Sequence, residues 1–222
     1  GLLAAYSPAY GHLLERMLFD RQLMTADGYK YILQNRSGII AITSNEGGDI
    51  IFGGGVYDGR FNVDPVTNSN VITRAYLMAA LHPNPEEVLE IGLSSGSWTW
   101  VVAAHSSVKH LTVVEINPGY VELIRKYPDH DVILTDPRVR ITVDDGRRWL
   151  KRNPQARFDF ILMNTTFHWR SDATNLLSKE FIEADGAVSV VDEEKCLACG
   201  RCEEICEYGA PNIAEVSPGV FK

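Results

Sequence analysis

The sequence predicts an α/β fold, a parallel sheet covered by helices on both faces and preceded by a small antiparallel meander. From residue 87 onward, short apolar runs alternate with amphipathic segments: "EVLEIG" (87–92), "HLTVVEI" (110–116), "RVRITV" (138–143) and "FDFILMN" (158–164). Near-continuous apolar strands separated by helices belong to parallel sheets buried on both faces. Before them, residues 29–62 hold four β-prone runs divided by "NRSG", "NEGGD" and "GGG", the punctuation of antiparallel turns. The first apolar run ends in a glycine- and serine-rich turn, "GLSSGS", that leads into a helix.

Taken in order, residues 8–24 read as a helix with Leu13, Leu14, Met17, Leu18 and Met24 on one side and Glu15, Arg16 and Asp20 on another. This helix fills an N-terminal segment, 1–28. The meander spans 29–66 through "YKYILQ", "GIIAITS", "DIIF" and "VYDGRFN", with Gly and Asn supplying the positive φ of tight turns. "SNVITRAYLMAALHP" is a helix with Ser69 as N-cap and Pro83 beyond its end. Further helices are expected near 97–105, 118–127, 146–153 and 173–183, so the parallel-sheet domain occupies 67–185. A tail, 186–222, holds all four cysteines.

Composition narrows the function classes. With 222 residues and 45% hydrophobic content, the chain can bury one good core. Its net charge of −8 argues against nucleic acid, since phosphate binders need clustered Lys and Arg. No apolar run approaches the roughly 18 to 20 residues of a membrane span, and the N-terminal stretch has no positively charged leader. A cytoplasmic setting is the expectation. Acidity concentrates in the tail, where Glu183 to Lys222 carries nine Asp/Glu against three Lys/Arg, a shift that marks a boundary near residue 183.

The turn after the first parallel strand, with Gly92, Ser94 and Gly96, lets a ligand approach the backbone and meet the free N–H groups of the next helix. Such a turn can also serve only to pack a helix on a strand. Glu115 ends the second strand 23 residues after Gly92, where an acidic side chain can accept hydrogen bonds from both ribose hydroxyls. The alternative is a solvated loop carboxylate. Asp144, Asp145 and Gly146 end the third strand on the same carboxyl edge, where open α/β sheets bind ligands.

These segments together resemble the spermidine synthase family, aminopropyltransferases built on the Rossmann-like class I methyltransferase fold. "VYDGRFN" is similar to that family's "LDG-x-x-Q" strand, "VLEIGLSSGSW" to its "VLVIGGGDGG" loop, "VVEIN" to its "VEID", and "DPRVRITVDDGRRWL" to its "DPR…GDG…FL" segment. The resemblance covers residues 29 to about 182. It implies binding of decarboxylated S-adenosylmethionine or S-adenosylmethionine, with Gly92, Ser94 and Gly96 lining the nucleoside, Glu115 on the ribose and Asp145 and Gly146 beside the adenine. It also implies a homodimer.

The family's "D-x-x-D-P" after strand four, which helps hold and deprotonate a polyamine, reads "NTTFHW" here: Asn164 and Phe167 replace the two Asp residues and His168 the Pro. Arg74 falls in the segment matching the family's "YHEM", and Asn62 stands where the Gln follows "LDG". His168 is the candidate catalytic residue, since imidazole titrates near neutral pH; the other reading of "FHW" is a lid or a packed domain edge. Asp172 is expected to cap the 173–183 helix. An altered or inactive aminopropyltransferase is the leading expectation, with a small-molecule methyltransferase as an alternative.

The tail spaces Cys196, Cys199, Cys202 and Cys206 as C-x2-C-x2-C-x3-C, which resembles half of a bacterial two-cluster ferredoxin module. The resemblance implies a 4Fe-4S cluster on these four ligands, a short ferredoxin-like segment over 186–222, and a redox partner protein. Zinc is the rival metal. On this basis an electron-transfer protein using the Rossmann-like domain as scaffold is a second alternative.

Overall fold

The computed structural model describes residues 28–68, 72–164, 215–217 and 220–221. The chain divides into two units, residues 1–167 and 168–222. In the first unit, β1 (Tyr31–Asn35), β2 (Gly38–Thr43), β3 (Ile50–Gly53) and β4 (Val56–Arg60) form an antiparallel sheet in chain order. Its first and third hairpins close on two-residue turns, Arg36–Ser37 and Gly54–Gly55, the latter with φ of 59° and 81°. Both residues of a type I′ hairpin turn need positive φ, and the glycine pair supplies it.

The second sheet is wholly parallel. Strands β5 (Glu87–Ile91), β6 (His110–Glu115), β7 (Val139–Val143) and β8 (Phe160–Met163) lie in the order β7-β6-β5-β8. The chain runs from β5 outward to β6 and β7, then returns to the other side of β5 as β8. That reversal opens a crevice at the carboxyl ends of the strands. Around the sheet come α1 (Thr73–Leu81), α2 (Ser97–Ala103), α3 (Gly119–Ile124) and α4 (Gly146–Arg152).

All four expected parallel strands and the four meander strands are present, each within two residues of its expected ends. A 3-10 turn at Asp131–Leu134 was not expected; it places Ile133 in the core, an apolar contact that a four-residue segment cannot announce by periodicity. Helix α1 begins with Ile72 at its N-cap and no side-chain cap, while the expected cap, Ser69, lies outside the described residues. So do the helices expected at 8–24 and 173–183, Asp172, and the segment 186–192.

One core joins meander and parallel sheet. Ile40, Ile42 and Ile51 cluster with Leu111, Val113, Leu123, Ile124 and Ile133, and burying each such side chain is worth about 1.5–3 kcal/mol. The Phe61 and Tyr127 rings stack with centroids 3.6 Å apart, and the Tyr127 hydroxyl donates to Asp49 at 2.7 Å. The meander is thereby fixed over the carboxyl edge of the sheet. In the second unit, β9 (Glu215–Ser217) and β10 (Val220–Phe221) form an antiparallel pair. Among the described residues, no helix is long and apolar enough to cross a membrane.

Candidate functional site

The turn after β5 is built from backbone that ordinary residues avoid. Gly92 has φ of 94°, Ser94 48° and Gly96 74°. At Gly92 a Cβ would stand 2.7 Å from the Asn164 carbonyl oxygen, so glycine is required both by conformation and by the close approach of the chain leaving β8. Ser94 is a non-glycine residue in the left-handed region, a sparsely populated conformation that its surroundings hold in place. Its hydroxyl donates to the Asp58 carbonyl at 2.7 Å. The meander's Gly59 lies so close that a Cβ there would meet the Ser94 hydroxyl.

A second clamp follows. The Ser97 hydroxyl donates to the Arg60 carbonyl at 2.7 Å and accepts from Ser95 at 2.9 Å, with His130 Nε2 3.2 Å away. Since Ser97 has a single proton to give, His130 must be the donor in that contact. Ser97 is only 2% exposed, so this Ser–His pair is a buried brace rather than a nucleophile open to substrate. Burial lowers the His130 pKa to about 4, against a smaller opposing pull from Asp129.

Glu115 ties two strand ends together. Its Oε2 accepts the Leu93 N–H and its Oε1 the Asn117 N–H, each at 2.7 Å. Burial pushes this carboxyl up to about 7, while the backbone N–H bonds pull it down and Asp58 pushes it further up. The Glu115 carbonyl also accepts the Asp144 N–H at 3.0 Å, which fixes the β7 end beside it. Asp145 caps α4, accepting the Arg148 N–H at 3.0 Å, and Gly146 is the buried first residue of that helix. Asp144 pairs with Arg148 and, at 3.3 Å, with Arg152. Burial raises the Asp144 pKa, but the hydrogen bonds from Arg148 and the Asp145 N–H and the charges of Arg148 and Arg152 together outweigh it and the net shift is downward.

The described site therefore holds the Gly92–Gly96 turn and Glu115 in direct contact, with Asp144 bonded to Glu115 and Asp145 one residue further. Asn164 donates its N–H to Ile91 at 2.8 Å, beside Gly92. Asn62 is committed elsewhere: its side chain donates to Gly47 and Thr67 and accepts from Asp64. Arg74 is exposed on α1. His168 and Phe167 lie outside the described residues. Glu90, fully buried in β5 just before this turn, is an acid that sequence reasoning did not single out. It sits in "VLEIG" as an acid inside an apolar strand, and that mismatch was the available signal.

A family model described as the spermine/spermidine synthase domain matches residues 71–217. The chain belongs to the spermine/spermidine synthase family. Among curated relatives it is 35% identical to "Spermidine synthase 1" of Pisum sativum over 103 residues, 46% of this chain and 30% of that one. It is likewise 35% identical to a polyamine aminopropyltransferase of Pyrobaculum calidifontis over 107 residues, 46% of this chain and 37% of that one. The aligned region thus spans about a third of these relatives' length. Among solved structures, a spermidine synthase in complex with the transition state analogue AdoDATO matches with a TM-score of 0.58 at 25% identity, covering 69% of this chain and 52% of that one. The Thermotoga maritima spermidine synthase matches with a TM-score of 0.56 at 25% identity, covering 69% and 51%.

These findings correct the reading of the tail. The match to the synthase model extends to residue 217, past Cys196, Cys199, Cys202 and Cys206, so a separate ferredoxin-type module starting at 186 is not supported. With it go the 4Fe-4S cluster, the electron-transfer role and the redox partner. The four cysteines lie outside the described residues, and among the described residues no group of three or more His, Cys, Asp or Glu side chains is placed to hold a metal.

Proposed function

We propose that this chain provides the nucleoside site of an aminopropyltransferase-like protein, taking decarboxylated S-adenosylmethionine or S-adenosylmethionine at the carboxyl edge of β5, β6 and β7. One observation carries the reading: Glu115, at the end of β6, is bonded to the glycine turn after β5 and to the first residue after β7. A carboxylate has about four acceptor positions. The N–H groups of Leu93, Asn117 and Ser94 bear on three, leaving one for a ribose hydroxyl. In this reading Gly92, Ser94 and Gly96 line the nucleoside, and Asp145 and Gly146 border the adenine. The acids Asp58, Glu115, Asp144 and Asp145 suit a ligand that carries positive charge.

Transfer of the aminopropyl group would form a bond from an acceptor nitrogen to the methylene beside the sulfonium, break that carbon–sulfur bond and leave a neutral thioether. The acceptor nitrogen must then lose a proton. Asn164 offers an amide at the end of β8, and an amide is no base. We therefore infer weak transfer to ordinary polyamines, with His168 as the candidate for proton transfer. Isothermal titration with decarboxylated S-adenosylmethionine, S-adenosylmethionine and methylthioadenosine tests the site: micromolar binding of at least one supports it, and silence from all three refutes it. Turnover with putrescine is expected at least 100-fold below that of an authentic spermidine synthase assayed beside it.

A further inference from the structure

Glu90 lies in the middle strand of the sheet and is 0% exposed. Its strand neighbours Val88, Leu89 and Ile91 are the aliphatic residues expected there. The Thr99 hydroxyl donates to its Oε2 at 2.9 Å, while Oε1 has no hydrogen-bond partner among the described residues. A buried carboxyl with unused hydrogen-bonding capacity destabilises the fold, a burden that another aliphatic side chain would avoid.

The register explains where it faces. Glu90 pairs with Val113, so Glu115, two residues on, falls on the same face of the sheet. Thr99 comes from the first turns of α2, directly after the Gly92–Gly96 turn. Helix α2 reads SWTWVVA and brings no charged side chain. The charge that bears on Glu90 is that of Glu115, Asp58 of β4 bears in turn on Glu115, and the neutral His130 reaches Ser97 at the start of α2.

We propose that Glu90 makes this site selective for a positively charged sulfonium nucleoside over the neutral thioether of the same shape, ionising when the cation binds and releasing its proton to solvent. The proposal rests on the nucleoside reading above. In the free protein burial favours the neutral carboxyl, pushing its pKa up to about 8, with Thr99 pulling down and Glu115 adding to the rise. A cation at the turn favours the ionised form through a poorly screened interior. Glu90 need not touch the ligand, so it acts as a specificity-determining group through the field it shares with Glu115.

S-adenosylmethionine and S-adenosylhomocysteine form the decisive pair, because they share every titrating group and differ by one methyl and one charge. Both ligands bring a ribose to Glu115, so both affinities are expected to rise between pH 6 and 8, that of the sulfonium more steeply by several-fold per pH unit. Repeating the titration in buffers of different ionisation enthalpy should show more proton released with the sulfonium than with the thioether. In Glu90→Gln the preference for the sulfonium at pH 8 should fall at least tenfold, with thioether affinity unchanged. If Glu90→Gln does not fold, the wild-type pH profile decides. Equal pH dependence for the two ligands, or an undiminished preference in Glu90→Gln, overturns the proposal and leaves the nucleoside site standing. If neither binds, decarboxylated S-adenosylmethionine against methylthioadenosine makes the same comparison, and a wild type that binds none of the four overturns both.

Discussion

Strands β6 and β7 lie side by side and each leads into a carboxylate, yet the two are held in opposite ways. Glu115 is 4% exposed and is answered by the backbone N–H groups of Leu93, Ser94 and Asn117, whereas Asp144 is answered by the guanidinium groups of Arg148 and Arg152, whose side chains are 58% and 66% exposed. Burial wins at Glu115 and raises its pKa to about 7; at Asp144 the arginines win and lower it. Amide dipoles in a dry slot leave a carboxylate able to respond to a new charge, while a guanidinium at the surface fixes it. The same edge of one sheet thus carries a responsive acid and a static one.

The largest test of that contrast is Glu115→Ala. It takes the acceptor from the N–H groups of Leu93, Ser94 and Asn117, at about 1–3 kcal/mol each, so denaturant unfolding should show a loss of at least about 3 kcal/mol. Nucleoside affinity should fall by about 30-fold, the worth of one hydroxyl contact to a charged acceptor. Asp144→Ala should cost less than half as much stability. Equal losses at the two positions would erase the distinction between them.

The next effect is in pH. A carboxyl whose pKa is higher folded than unfolded contributes stability that is full below the unfolded value and is lost as pH rises through the folded one. For Glu90 and Glu115 the windows run from about 4.5 to about 8 and about 7. His130, held neutral by burial, has the opposite sign: its contribution is lost as pH falls from 6.5 toward 4, so it offsets the carboxyls only below 6.5. The ligand-free chain should therefore lose about 2–3 kcal/mol between pH 6 and 8. Thermal unfolding across that range checks it, and Glu90→Gln should remove more than half of the drop. A wild type equally stable at pH 6 and 8 would show that these carboxyls are not held neutral.

What was legible in the sequence divides along the same line. Strands β5 to β8 and the meander announced themselves because each buries enough apolar surface to leave an alternating or continuous pattern. The glycine turn and Glu115 stood out for having small or charged residues where a strand ends. Glu90 did not, since one acid inside "VLEIG" leaves the apolar pattern intact and only the fold reveals that its Oε1 has no hydrogen-bond partner among the described residues. The brace of Ser95, Ser97 and His130 was equally silent, because it joins residues 33 apart with no motif between them. The cysteine tail failed for the converse reason: a compact spacing resembled a module that the longer match through residue 217 does not support.

The smallest effects belong to the β7 end. Asp145→Ala removes the α4 N-cap that accepts from Arg148, at about 1 kcal/mol. Asp144→Asn weakens ion pairs whose arginines are mostly in solvent, at about 0.5 kcal/mol. Salt separates the two: exposed pairs are screened within about 8–10 Å at physiological ionic strength, so the Asp144→Asn loss should shrink at 0.5 M NaCl while the cap loss stays. The Glu115→Ala loss should also ignore salt, because its partners are buried amides. If Glu115→Ala proved as salt-sensitive as Asp144→Asn, Glu115 would be acting as a surface ion, and a carboxylate screened in that way could not report the charge of a ligand.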